Sequence, residues 1–222
     1  MNIAIAIDGP AGSGKSTAAR KLAAEMNYLY VDTGALYRAM ALYCLRCGID
    51  PADEAAVTAA CPGIAITLTY ADGMQHVYLN GEDVSGDIRT EEISRSASVV
   101  SAYRAVREKL LSLQRDLAAE NNVIMDGRDI GTRVLPDAQC KIFLTASVEK
   151  RAQRRYLEQT QKGMDVCLSD IEADIRIRDQ RDANREIAPL RQADDAVLLD
   201  TSEMDIEQVT AAIRMIAVQC GA

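Results

Sequence analysis

At 222 residues and 48% hydrophobic, with no Trp and one Phe, the chain can bury a full core and fits one domain with an insertion better than two independent ones. Its 33 acidic against 25 basic residues leave a net charge of −8, which excludes a basic face for nucleic acid but not small phosphorylated ligands held by local cations. No basic leader or cleavage site opens the chain, and its longest uncharged stretch, Ala55 to Ala71, is broken by Pro62, Gly63 and three threonines. The expectation is a cytosolic monomer with neither membrane nor nucleic-acid partners.

Taken in chain order, Ile3 to Ile7 is an apolar run suited to a strand buried on both faces, and Ala18 to Met26 reads as a helix. Between them stands Gly9-Pro10-Ala11-Gly12-Ser13-Gly14-Lys15-Ser16-Thr17, which matches G-x-x-x-x-G-K-[ST] in the strand, loop, helix order that gives the pattern meaning. The glycines let the backbone curl around an anion so that its N–H groups point at a phosphate from a helix N-terminus. Lys15 adds a mobile charge, and the Ser16 hydroxyl is placed to ligate Mg²⁺. The segment predicts a bound nucleoside triphosphate. No Asn-Lys-x-Asp guanine motif accompanies it.

A second strand, Tyr28 to Val31, ends in Asp32-Thr33-Gly34-Ala35-Leu36-Tyr37-Arg38 and a helix from Gly34 to Cys47. From Ile64 to Gly81 the apolar residues alternate, with turns at Asp72-Gly73 and Asn80-Gly81, which predicts a small antiparallel insertion. His76, the only histidine, is read there as an exposed strand residue. One helix is expected over Glu91 to Glu120, then a strand at Val123 to Met125 followed by Asp126-Gly127-Arg128-Asp129-Ile130-Gly131-Thr132. Charged residues at the carboxyl end of a parallel strand stand where open α/β sheets bind ligands. Strands at Lys141 to Leu144 and Val197 to Leu199 complete an α/β fold: a parallel five-stranded sheet flanked by helices.

Between those last strands, Arg151, Arg154 and Arg155 crowd ahead of Lys162-Gly163, as in a mobile lid over a triphosphate. Ser169-Asp170-Ile171-Glu172 resembles a capping box, opening a helix on which Arg178, Arg181, Asp182 and Arg185 share one face. Each of these Arg-bearing segments alone also suits a structural turn or a solvated helix face. The scattered cysteines, Cys44-x-x-Cys47 included, are read as reduced and mostly buried small hydrophobes.

Together the segments resemble the cytidylate kinase family of nucleoside monophosphate kinases over nearly the whole chain. The likeness rests on Gly9 to Thr17, Asp32 to Arg38, Gly81-Glu82-Asp83-Val84-Ser85 with Ile88-Arg89-Thr90, Asp126 to Thr132, and Arg178 to Arg185 followed by Ala188-Pro189-Leu190. Thr33 and Ser16 stand where other hydroxyl residues also occur, and each keeps the oxygen its role needs. The resemblance implies a core of about 1–33, 121–148 and 186–222, an acceptor-binding region with the β insertion over about 34–120, and a lid with Arg-rich helices over about 149–185. It implies transfer of the ATP γ-phosphoryl group, with Mg²⁺, to CMP or dCMP, giving CDP or dCDP. Gly9 to Thr17 with Arg154 and Arg155 would hold ATP, and Lys15, Arg128 and Arg185 would act in catalysis. Arg38, Arg128 and Arg185 would hold the acceptor phosphate; Thr33 would line the acceptor site; Tyr37, Arg178 and Asp182 would contact the sugar; Ser98, Arg107 and Asp129 would read the base.

Cytosine offers a donor at N4 and acceptors at N3 and O2, matching a carboxylate and a guanidinium, whereas uracil reverses that edge. CMP is therefore expected over UMP. The alternatives are a kinase of another monophosphate or small acceptor such as shikimate, and, from another class, a nucleotide-sensing module that transfers nothing.

Overall fold

The computed structural model describes residues 2–71 and 73–222. Strand β1 (Ala4–Asp8) leads into α1 (Lys15–Met26), and β2 (Leu29–Asp32) into α2 (Thr33–Arg46) and the short α3 (Glu54–Ala60). An insertion of β3 (Ile66–Ala71), β4 (Met74–Leu79) and β5 (Glu82–Asp83) precedes α4 (Glu91–Val100) and α5 (Arg104–Glu120). The chain then returns through β6 (Val123–Gly127), β7 (Cys140–Thr145), α6 (Val148–Gln161), α7 (Leu168–Ala183), β8 (Val197–Asp200) and α8 (Ile206–Gln219). The expected strands are all present, displaced by a residue or two.

The main sheet runs β2-β6-β1-β7-β8 with every pairing parallel. Period-2 alternation serves both of its faces: Ile5, Ile7, Ile124 and Ile142 pack with Leu22 of α1 and Ile213 of α8, while Ala4, Ala6, Val31 and Met125 fill the other side. Each fully buried Ile contributes about 1.5–3 kcal/mol. This packing fixes the register Asp8↔Gly127 and Asp32↔Asp126, so three strands end side by side with their carboxylates at one edge.

The insertion pairs Leu68 with Val77 and Ile66 with Leu79 in a three-stranded antiparallel sheet. Val77 and Leu79 pack against Leu36 and Met40 of α2. Asn80 (φ 49°) and Gly81 (φ 88°) make the second turn. The expected turn at Asp72-Gly73 falls on Asp72, outside the described residues. His76 is half-buried rather than exposed, with Nδ1 3.1 Å from Asp83 Oδ2.

Four expectations need correction. The helix over Glu91 to Glu120 is two helices, broken at Ser101-Ala102-Tyr103. Val100 and Val106 are both buried in one cluster, yet on a straight helix they would stand roughly 600° apart, a third of a turn out of line; the break lets both face inward. The capping box at Ser169 does not form: α7 begins at Leu168 after Cys167, and the Ser169 hydroxyl lies 3.0 Å from the Cys167 sulfur. That helix ends at Ala183, so Arg185 stands beyond it, in a loop whose Leu190 N–H returns to the Asp182 carbonyl at 2.8 Å. All six cysteines are free, but only Cys44, Cys61 and Cys140 are buried.

Gly9 adopts φ 147°, and a Cβ there would meet the Leu144 carbonyl oxygen at 1.9 Å. Gly9→Ala therefore forces β1 and β7 apart; thermal or urea denaturation should record a loss of about 3 kcal/mol or more.

Candidate active site

The phosphate loop bends through Gly9, Gly12 (φ 76°) and Gly14 (φ 90°), and Gly14 begins α1 with no side chain capping it. The first N–H groups of α1 thus remain available to an anion. Lys15 is buried and folded onto its own loop, donating to the Pro10 carbonyl at 2.6 Å and lying 3.3 Å from Ser13 Oγ. Burial, then the nearby Arg128, pushes its ammonium well below the ordinary lysine range.

The carboxyl ends of the strands supply three acids. Asp126 accepts from Ser16 Oγ at 2.7 Å and from the Tyr30 hydroxyl at 2.9 Å. Its pKa is raised by burial and then by Asp32, against the pull of Lys15. Asp8 accepts from the N–H groups of Ile130 and Gly131 at 2.8 and 2.7 Å, pinning the segment after β6. Burial pushes its carboxyl up to about 6 despite those two bonds. Asp32 caps α2 through the Ala35 N–H and pairs with Arg38 at 2.8 Å. Thr33 Oγ1 donates to the Asp126 carbonyl at 2.8 Å, so its hydroxyl is engaged in the protein.

Arginines line the opposite wall. Arg107 and Asp129 form an ion pair with side chains only 7% and 5% exposed. Arg107 Nη1 donates to the Ser101 carbonyl at 2.9 Å, and its guanidinium lies 5.5 Å from the centre of the Tyr37 ring. Burial raises the Tyr37 phenol to about 12. Arg128 Nε donates to Asp182 at 3.0 Å, and Arg185 Nη1 to Ser101 Oγ at 3.3 Å. Burial alone would raise Asp182, but Arg128, Arg185 and Arg178 outweigh it and hold the carboxyl low. Burial lowers Arg185 and brings Arg178 to about 10. Nε of Arg38, Arg107, Arg178 and Arg185, together with Arg185 Nη2, are buried without a hydrogen-bond partner. Buried donors of this kind call for acceptors, and so many charged ones call for an anion.

On α6 the cations divide. Arg151 faces away from the cleft, bound to Asp179 at 2.5 and 3.0 Å and to the Ala146 and Ala11 carbonyls. Arg154 donates to the Thr201 and Met204 carbonyls at 2.5 and 3.2 Å, and Arg155 to Glu91 at 2.7 Å. Both line the cleft.

One cavity of about 1020 Å³ joins the two walls. It gathers all the residues expected to bind donor or acceptor except Gly9 and Pro10, which shape the loop from behind. Sequence reasoning missed Asp8, Tyr30, Asp126 as a partner of Ser16, and Ser101. Asp8 and Asp126 carried a usable signal, an acid directly after an apolar strand run. Tyr30 and Ser101 carried none, because their partners lie 96 and 84 residues away.

The sequence model described as cytidylate kinase matches residues 5–219. The chain belongs to the cytidylate kinase family. It is 52% identical over 209 residues to the cytidylate kinase of Lactobacillus johnsonii, covering 94% of this chain and 91% of that protein. To the cytidylate kinase of Caldicellulosiruptor bescii it is 50% identical over 207 residues, covering 93% and 92%. An uncharacterized protein from Eubacterium ventriosum shares the fold at a TM-score of 0.55 and 13% identity over 98% of this chain and 99% of that one. The family is one of nucleoside monophosphate kinases. Among the described residues no helix is long and apolar enough to cross a membrane, and no three His, Cys, Asp or Glu side chains form a metal cage.

Asp8 has a folded pKa near 6 against an ordinary 3.8, so the folded state binds the proton more tightly than the unfolded one. Its contribution to stability is therefore favourable at low pH and lost as pH rises from about 4 to about 6. Asp8→Asn keeps the neutral form at every pH and should remove that slope, so that the difference in urea-unfolding stability shifts in the variant's favour as pH rises from about 4 to about 6.

Proposed function

We propose that the chain transfers the γ-phosphoryl group of ATP to CMP or dCMP, giving ADP and CDP or dCDP, and does so in the cytosol as a monomer. The observation that carries the residue assignment is the row of buried, unpartnered guanidinium nitrogens on Arg38, Arg107, Arg178 and Arg185 beside the buried Arg107–Asp129 pair. A phosphorylated cytidine supplies acceptors for the first and a matching base edge for the second.

No general base is required. A phosphate monoester with a second pKa near 6 is already a dianion at neutral pH, so the obstacle is bringing two anions together. Arg38, Arg128 and Arg185 orient the acceptor phosphate through planar forks suited to bidentate contact. Lys15 and the loop N–H groups hold the donor phosphates; Arg154 and Arg155 close on them from a lid over about 149–185, leaving 1–33, 121–148 and 186–222 as the core and 34–120 as the acceptor region. The new P–O bond forms to an acceptor-phosphate oxygen as the bond from the γ-phosphorus to the ADP oxygen breaks. Tyr37, Arg178 and Asp182 contact the sugar, and Thr33 lines the acceptor site.

The pair formed by Ser16 Oγ and Asp126 Oδ2, 2.7 Å apart at the cleft, is a hard oxygen set suited to Mg²⁺, which keeps most of its shell as water and phosphate oxygens. Ser16 would hold the ion directly and Asp126 through its water. Bound there, Mg²⁺ would neutralise charge on the donor phosphates.

Ser98, Arg107 and Asp129 read the base. Asp129 accepts from the cytosine amino group, while uracil would set a carbonyl against that carboxylate, a mismatch of about 1–3 kcal/mol. In a panel of CMP, dCMP, UMP, dTMP, AMP and shikimate with Mg·ATP, the cytidine acceptors should give the highest kcat/KM; best turnover on another acceptor would overturn the reading. Asp129→Asn should narrow the ratio of CMP to UMP kcat/KM by roughly tenfold or more. Arg185→Ala should cut kcat/KM for CMP by about 10²–10³ while Mg·ATP binding survives, measured by steady-state kinetics and calorimetry.

A further inference from the structure

Arg155 already has an anion. Glu91, the first residue of α4, accepts its Nη2 at 2.7 Å, and the same Glu91 oxygen accepts from Gln159, one turn further along α6. The contact crosses the mouth of the cleft, joining the acceptor wall to α6 between residues 64 positions apart. Glu91 is not needed to cap its own helix, because Thr90 accepts the Ile93 N–H. The Arg155 bond, ahead of every other influence, holds the Glu91 carboxyl below the usual glutamate range.

The pair is strong enough to form and weak enough to exchange. Its side chains are 34% and 26% exposed, so solvent screens the attraction, and one carboxylate oxygen faces a guanidinium that can grip two. A triphosphate brings more charge and more oxygens to the same fork. We propose that Glu91 is a positioning residue for Arg155: it holds the guanidinium as a resident anion at the cleft mouth until the donor phosphates displace it. The inference rests on the reading of Arg155 as a donor ligand. Glu91 then orients Arg155 and at the same time competes with ATP for it.

Calorimetric titration with Mg²⁺ and a non-hydrolysable ATP analogue tests both, using wild type, Glu91→Gln, Arg155→Ala and the double variant. Removing the competing charge in Glu91→Gln should lower the Kd about two- to fivefold. Arg155→Ala should raise it about tenfold, and the double variant should match Arg155→Ala alone. Gln159→Leu, which loosens the same carboxylate without changing any charge, should also tighten binding. In turnover the Glu91→Gln effect should appear in KM for ATP and leave kcat within about twofold, a split that a merely structural contact would not produce. Unchanged or weaker analogue binding by Glu91→Gln, with Arg155→Ala still impaired, overturns the inference and leaves the donor reading standing. Unchanged binding by Arg155→Ala overturns both.

Discussion

Crowded positive charge that the protein cannot neutralise by itself governs this structure. Arg38, Arg107, Arg128, Arg178 and Arg185 converge on one cleft with Lys15 opposite, and Asp32, Asp129 and Asp182 offset only part of that charge. Burial pushes Lys15, Arg178 and Arg185 toward their neutral forms, which is the cost of gathering these cations at one cleft. The hydrophobic sheet beneath carries this charge because β1 and β6 are buried along their whole lengths, and of the two only Asp126 and Gly127 at the end of β6 line the cleft.

The acids at the strand ends serve a different purpose. Asp126 ties Ser16, Tyr30 and, through its carbonyl, Thr33 to the end of β6, so the phosphate loop and the start of α2 share one support. Asp8 holds the turn after β6 by two backbone N–H bonds and thereby sets where Arg128 and Asp129 begin. These contacts make the cleft a property of the sheet edge and not of the loops alone, as expected where parallel strands end in ligand-binding residues.

The main sheet was legible because Ile3 to Ile7, Val123 to Met125 and Lys141 to Leu144 are apolar runs with no competing reading. The donor loop was legible because its glycines and Lys15 are contiguous. The acceptor residues were legible individually as charged segments, but only their resemblance to a family assigned them roles, since a helix face of arginines reads equally well as solvated surface. The helix break at Ser101 to Tyr103 was not legible: nothing in Ser-Ala-Tyr forbids a helix, and the cause is tertiary, the need to turn both Val100 and Val106 inward. The false capping box at Ser169 shows the converse. A local pattern was present, but Cys167 took the hydroxyl and the helix began two residues earlier.

That break bears on how an error in the base would be felt. The Ser101 carbonyl, released from the helix, receives Arg107, and the Ser101 hydroxyl receives Arg185. One residue thus buttresses both Arg107, proposed to face the base, and Arg185, proposed to face the acceptor phosphate. In the proposed assignment, an acceptor that drew Arg107 off the Ser101 carbonyl would also disturb Arg185, so discrimination would reach into the speed of the reaction as well as the strength of binding. On that assignment the site would weigh a nucleotide twice with one measurement of its edge.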